Sequence, residues 1–235
     1  MKKQKITTSN VPLREKVYQY IRSEMQKGNL LPGSLINLKE ISKHLGLSIT
    51  PLRDAVIQLD NEGLVTIQPR RGIVINKVTL QHIRNSLQII GALESAVLLE
   101  VFDKIDADQI QKMEDINADL ISIIGREAFE TYYQRNIDFH NVVLDLSENE
   151  EIPRLIMPLK QRLYDFPRRS YIKEWELINC KEHDQFIKLI KKGKRDEVAK
   201  LWKDSHWSYK VHEKFIRRFY FDASERIENE LSRRT

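Results

Sequence analysis

The sequence predicts a mainly α fold in two parts, an N-terminal winged helix-turn-helix followed by an all-helical antiparallel bundle of about six helices. Three observations predict it. Residues 38–75 read as helix, tight turn, second helix and hairpin. From Val78 onward helical periodicity returns segment after segment, with no convincing period-two run. The charge is also divided: residues 1–76 carry 12 Lys and Arg against 6 Asp and Glu, a net of +6, whereas the rest of the chain carries 27 against 28. A basic module joined to a near-neutral one fits binding of a polyanion through one part of the molecule.

Within the first part, Leu38, Ile41 and Leu45 form one apolar face of a helix capped by Asn37 and stopped at Gly46. Gly46-Leu47-Ser48 is the turn; Ser48 can cap the next helix, and Pro51 falls in its first turn, where a missing donor costs little. Leu52, Ala55, Val56 and Leu59 recur at i, i+3, i+4, i+7 and should face the core. That leaves Ile49, Thr50, Arg53 and Asp54 outside at the helix start, the part that enters a major groove. Gly63 is a left-handed stop. Val65–Ile67 and Gly72–Ile75 are short β-branched runs joined by Gln68-Pro69-Arg70-Arg71-Gly72, a two-stranded wing whose arginines could reach phosphates or a narrow minor groove.

The domain boundary falls near residues 76–79, giving 1–76 as the winged part and 77–235 as the helical part. Met1–Asn10 is lysine-rich and lacks the apolar core of a secretory signal, and no apolar run approaches the ~18 residues that span a bilayer, so a cytoplasmic protein without a membrane partner is expected. The single cysteine, Cys180, excludes an internal disulfide and reads as a small buried residue, with a Cys/His ligand pair or a redox switch as alternatives.

In the bundle, Ile83, Leu87, Ile90, Leu93 and Val97 make the seam of the first helix. Further helices are expected from the Asp106 cap to Ile124, from Glu127 to Leu146, from Ile152 to Phe166 before Pro167, from Leu177 to Lys192, and from Asp196 to Phe221 after Gly193. Asn136 and His140 stand at i, i+4 on one helix face. His183 and His206 flank the Gly193 hairpin by 10 and 13 residues, about 15 and 20 Å of helix, which brings them to nearly one level in an antiparallel pair. Three imidazoles and an amide oxygen could then converge on a divalent cation; three exposed or core-satisfied histidines are the plainer alternative. Zinc or nickel would suit imidazole ligands. His212, six residues past His206, points elsewhere. No HExxH-like placement, nucleophile elbow or phosphate-binding glycine loop supports an enzyme.

Pro32-Gly33, Leu38-Lys39-Glu40-Ile41, Leu45-Gly46-Leu47-Ser48, Thr50-Pro51-Leu52-Arg53-Asp54-Ala55 and Glu62-Gly63-Leu64-Val65 together resemble the winged helix-turn-helix of GntR-family bacterial transcription regulators. The resemblance implies DNA contacts from Lys39, Thr50 and Arg53, and from Arg70, Arg71 and Gly72 at the wing. Ile49 stands where the family usually has arginine; it could touch a thymine methyl or pack against the neighbouring helix. Asn136-Ile137-Asp138-Phe139-His140, Glu182-His183, Gly193 and His206 are similar to the FCD effector domain of the FadR-type branch. That likeness implies a metal held by Asn136, His140, His183 and His206, with Asn136 in place of the more usual aspartate. It also implies a homodimer on a palindromic DNA operator, commonly a repressor, and a small-molecule effector, with carboxylates as one class. Ile90 occupies the family's effector-binding arginine position, and Arg162, with Arg168 and Arg169, could supply the missing charge. An architectural DNA-binding protein with a purely structural bundle, or a metal-dependent enzyme, are the alternative functions.

Overall fold

The computed structural model describes residues 11–126, 129–165 and 172–221. The chain divides into two compact units between Lys77 and Val78. The side chain of Asn76 belongs wholly to the first: its amide donates to the carbonyls of Gly63 and Val65, both at 2.9 Å. Thr79 opens the second by capping the next helix through the His82 amide, at 3.1 Å.

The first unit begins with α1 (Leu13–Gln26), absent from the predicted elements. Its buried Val17, Tyr18, Ile21 and Met25 recur at helical spacing and complete the core made by Leu52, Ala55, Val56 and Leu59 of α3 (Ile49–Asn61). Between them lies α2 (Leu38–Leu45), where Asn37 accepts from the Lys39 and Glu40 amides and Gly46 takes up the left-handed conformation. Ser48 precedes α3 in an extended conformation but makes no side-chain cap bond, so the expected Ser48 cap is corrected. The wing strands are β2 (Val65–Gln68) and β3 (Gly72–Ile75). A third strand, β1 (Leu35–Ile36), pairs antiparallel with the outer edge of β3, Leu35 opposite Val74. The sheet order is therefore β1-β3-β2 rather than the two-stranded wing expected.

In the second unit, α4 (Leu80–Val101) is followed by a short 3-10 turn and by α5 (Ala107–Ile123), which Asp106 and Gln109 open with a reciprocal capping box. Then come α6 (Phe129–Leu144), α7 (Glu151–Asp165) with Pro158 inside it, and α8 (Lys173–Lys191). The predicted final helix is broken. It forms α9 (Arg195–Leu201), a π turn over Trp202–His206, and α10 (Tyr209–Phe221). Such π turns widen the backbone ladder and re-aim side chains.

The buried seam of α4 also differs from expectation. Leu93 is half-buried, whereas Glu94 is 2% exposed and continues the run Ile83, Leu87, Ile90 toward Val97 and Val101. Spacings of four and three residues place position 94, not 93, on the inward face. Leu80–Lys104 is long and apolar enough to cross a membrane by length and composition, contrary to the expectation of no such run; half of an 18-residue apolar window within it is buried, as in the core helix of a bundle.

Gly91 fixes how closely α4 meets the π turn. A Cβ there would stand 2.8 Å from Cβ of Trp207 and 3.6 Å from Cα of Lys203. Gly91→Ala should therefore destabilise the protein by about 1–3 kcal/mol through overpacking, measured by urea unfolding. An unchanged midpoint would show that the two elements can part without cost.

Candidate functional site

The histidines that the sequence singled out come together. One ring nitrogen from each of His140, His183 and His206 lies within 4.8 Å of the others, and all three rings are buried. α6 supplies His140, α8 supplies His183, and the π turn supplies His206.

The partners of the other ring nitrogens decide the tautomers. His140 Nδ1 lies 2.8 Å from a carboxylate oxygen of Glu94, and His206 Nδ1 lies 2.8 Å from one of Glu182. Ionised carboxylates only accept, so both Nδ1 atoms carry the hydrogen. His183 Nδ1 is 3.0 Å from Asn117 Oδ1. The Asn117 amide nitrogen donates to the Cys180 carbonyl and to Asp184, which leaves its oxygen as the acceptor and His183 Nδ1 as the donor. In the neutral His140 and His183 rings, Nε2 is therefore a bare lone pair. Those of His140 and His183 are buried with no hydrogen-bond partner. Imidazoles oriented through Nδ1 by carboxylate or amide oxygens, with one ring nitrogen of each converging, could hold a divalent cation.

Asn136 sits one turn before His140 on α6. Its amide nitrogen donates to the Tyr164 hydroxyl at 3.2 Å, while its buried Oδ1 has no partner and is a further donor atom for a cation or a ligand. The residues present thus fit a metal of imidazole preference.

Glu94 carries the most connections. Its Oε2 accepts from His140 Nδ1, Trp202 Nε1 and Trp207 Nε1, each at 2.8 Å, and its Oε1 is paired with the fully buried ammonium of Lys160. Burial opposes its ionisation, but Lys160 and His140 overcome that and hold the carboxyl far below the usual range. Burial pushes His140 down to about 3 against the pull of Glu94. Burial, joined by His206 and His140, pushes His183 well below the ordinary histidine value.

A cavity of about 80 Å³ adjoins the cluster, with Asn136 and His206 on its wall beside Trp175, Ile216 and Phe219. His212 also lines it and accepts from Trp175 Nε1 at 3.1 Å, outside the three-histidine cluster. No lysine or arginine lines this cavity among the described residues. Arg162 is half-buried on α7 and does not line this cavity; its Nε is buried without a hydrogen-bond partner, while Ile156, Lys160 and Leu163 are the buried residues of that helix. Arg168 and Arg169 lie outside the described residues. Ile90 is fully buried in the α4 seam. Cys180 is buried, its thiol pushed up to about 12 by that burial, which keeps it protonated and outside the ligand cluster.

Sequence reasoning missed Glu94, Asn117, Lys160, Trp202 and Trp207 as parts of the site. For Glu94 a signal was present, a carboxylate occupying a seam position of an apolar helix; Lys160 and Asn117 carry no comparable spacing.

In the first unit, Lys39, Thr50, Arg53, Arg70, Arg71 and Gly72 are all exposed, and Ile49 is half-exposed. Gln68-Pro69-Arg70-Arg71 closes a turn through the Arg71 amide on the Gln68 carbonyl at 3.1 Å. Arg70 takes φ 62°, a left-handed conformation more usual for glycine or asparagine.

Residues 13–75 match the bacterial regulatory proteins of the gntR family, and residues 85–205 match the FCD domain. The chain belongs to this family of GntR regulators with an FCD domain. It is 26% identical over 137 residues to the HTH-type transcriptional repressor RspR of Escherichia coli strain K12, covering 58% of this chain and 60% of that protein. It is 24% identical over 194 residues to the uncharacterized HTH-type transcriptional regulator YdhC of Bacillus subtilis strain 168, covering 82% and 86%. Among solved structures, E. coli McbR/YncC shares the fold with a TM-score of 0.65 at 17% identity, over 87% of this chain and 99% of that one. A GntR regulator from Rhodococcus sp. RHA1 does so with 0.63 at 16%, over 86% and 96%.

The buried rings make stability depend on pH. In metal-free protein His140 and His183 stay neutral when folded but take up protons once unfolded below about 6.5. Their contribution is intact above that pH and is lost as pH falls below it, for His140 down to about 3. Unfolding free energy should drop by about 1.4 kcal/mol per pH unit per ring over this window. Urea titrations in chelator at pH 7 and pH 5 check this, and equal stabilities would place the rings in water.

Proposed function

We propose that this chain is a ligand-responsive, DNA-binding transcription regulator, a repressor that holds a palindromic operator as a dimer and answers to a small metabolite bound beside a divalent metal in its helical unit. The observation that carries the reading is the exposed start of α3, with Thr50 and Arg53, together with the basic wing tip, in a chain that matches the gntR family over the same residues. Thr50 and Arg53 would meet base edges or phosphates in the major groove, Lys39 the backbone, and Arg70, Arg71 and Gly72 the adjacent phosphates or minor groove. The left-handed backbone at Arg70 supports a role for its side chain, since the conformation costs of order 1 kcal/mol that glycine would not incur. Ile49 would add apolar contact.

One such head makes few contacts. A two-fold dimer doubles them on a symmetric site, which is the physical argument for dimerisation. The E. coli relative RspR is a transcriptional repressor by name, which supports repression. The reading places the protein with its DNA in the cytoplasm.

His140, His183 and His206, with Asn136, would hold a zinc or nickel ion. Bound there, the metal would supply positive charge at the cavity wall through His206 and Asn136. Because no cationic side chain lines that wall among the described residues, a carboxylate effector would find its counter-charge only at the metal. The apolar part of the effector would lie against Trp175, Ile216 and Phe219.

Two substitutions separate the units. Arg53→Ala should weaken binding to an operator selected from random duplex by about 1–3 kcal/mol and leave metal content unchanged. His183→Ala should abolish stoichiometric zinc or nickel, measured by elemental analysis with native mass, and leave non-specific DNA affinity intact. Wild-type protein that selects no sequence would sink the regulator reading. Metal retained in the His183→Ala protein would sink the metal assignment alone.

A further inference from the structure

A second cavity in the helical unit lies outside the histidine cluster and is built on charge. It measures about 330 Å³, against about 80 Å³ beside the histidines. Arg84 and Gln88 of α4 form one side, and Lys203, Asp204 and Lys210, from the π turn and the start of α10, form the other. These segments stand more than a hundred residues apart in sequence and meet because Gly91 has no side chain to keep the π turn away.

Three cations face one carboxylate. Arg84, Lys203 and Lys210 are exposed, and none is in an ion pair among the described residues. The Arg84 guanidinium lies 5.7 Å from the Tyr209 ring centroid, a cation–π contact that holds it at the cleft. The nearby Glu213 bonds Arg217 at 2.9 Å and the Tyr209 hydroxyl at 3.2 Å and also feels the Arg84 charge, so it offsets Arg84 in part and leaves Lys203 and Lys210 without it. Gln88 and Ser208 add neutral donors. Trp207 forms the inner wall, with its indole N–H committed to Glu94.

Gathering three like charges costs mutual repulsion that a singly charged ligand would relieve only in part. A volume of this size suits a small molecule rather than a polymer. We propose that this cleft binds a small, multiply charged oxyanion of the phosphate-ester class, at a site separate from the histidine cavity. The inference does not depend on a metal at the histidines.

Titration calorimetry with inorganic pyrophosphate, on the full chain at low and fixed ionic strength, tests it. Three proteins are compared: unaltered, Lys203→Ala/Lys210→Ala, and Arg70→Ala/Arg71→Ala, the last because the wing is the competing basic surface. All four positions are exposed, so both variants should keep the fold, checked by circular dichroism. The unaltered protein should show one saturable site per subunit. The affinity should fall about tenfold or more in the Lys203/Lys210 variant and stay within about twofold in the wing variant. Absence of saturable binding overturns the proposal. So does a Lys203/Lys210 variant that binds like the unaltered protein, or a wing variant that loses as much.

Discussion

A single buried carboxylate organises the helical unit. Glu94 lies on the inward seam of α4 with no access to water, and a charge so placed is tolerated only when fully partnered. Its partners come from three other places in the chain: His140 on α6, Lys160 on α7, and Trp202 and Trp207 at the π turn. One oxygen accepts three N–H groups, which an ionised carboxylate can do and a neutral acid cannot match, and the other faces the ammonium. Removing any one partner would leave the others to hold a charge they cannot satisfy alone. The same contact that anchors the core also sets the tautomer of a site histidine.

The π turn is the second constraint, and it follows from the first. An unbroken α-helix from Asp196 to Phe221 would carry Trp202, His206 and Trp207 at fixed angular offsets. In the structure both indole N–H groups reach one carboxylate oxygen while His206 faces His140 and His183, with ring centroids 5.2 and 5.0 Å away. The wider turn makes the three directions compatible. Close approach at Gly91 then locks the segment against α4. Since α4 starts immediately after the winged unit, the helix that carries Glu94 is also the helical-unit element nearest in sequence to the winged unit.

The two units solve different problems with charge. In the winged unit, the apolar side of α3 packs into the core through Leu52, Ala55, Val56 and Leu59, while Arg53 of that helix and Lys39, Arg70 and Arg71 nearby in sequence stay exposed, available to phosphates. In the helical unit charge is taken inside and neutralised by design of the neighbours, as at Glu94 with Lys160. The cleft at Arg84, Lys203 and Lys210 is the exception, a cationic concavity without a matching set of carboxylates.

Much of this was legible along the chain because it depends on local chemistry. Asn37 and Gly46 bound α2, Gly63 and the Pro69–Gly72 tip shape the wing, and Asp106 opens α5, since caps and turns are settled by a few adjacent residues. Helix rise and one hairpin put His183 and His206 at one level; that His140 joins them was implied by the resemblance to FCD domains. What the tertiary structure alone decided are the groups whose roles depend on distant partners. Position 94 rather than 93 faces inward, Asn117 orients His183 from another helix, and Lys160 rather than Arg162 is the inward cation of α7. The break of the last helix into a π turn was equally hidden, because it satisfies Glu94, more than a hundred residues earlier, rather than any local preference of Trp202–His206. Periodicity reports which face of a helix is apolar; a buried charge and its partners are chosen by packing between helices, which no single segment encodes.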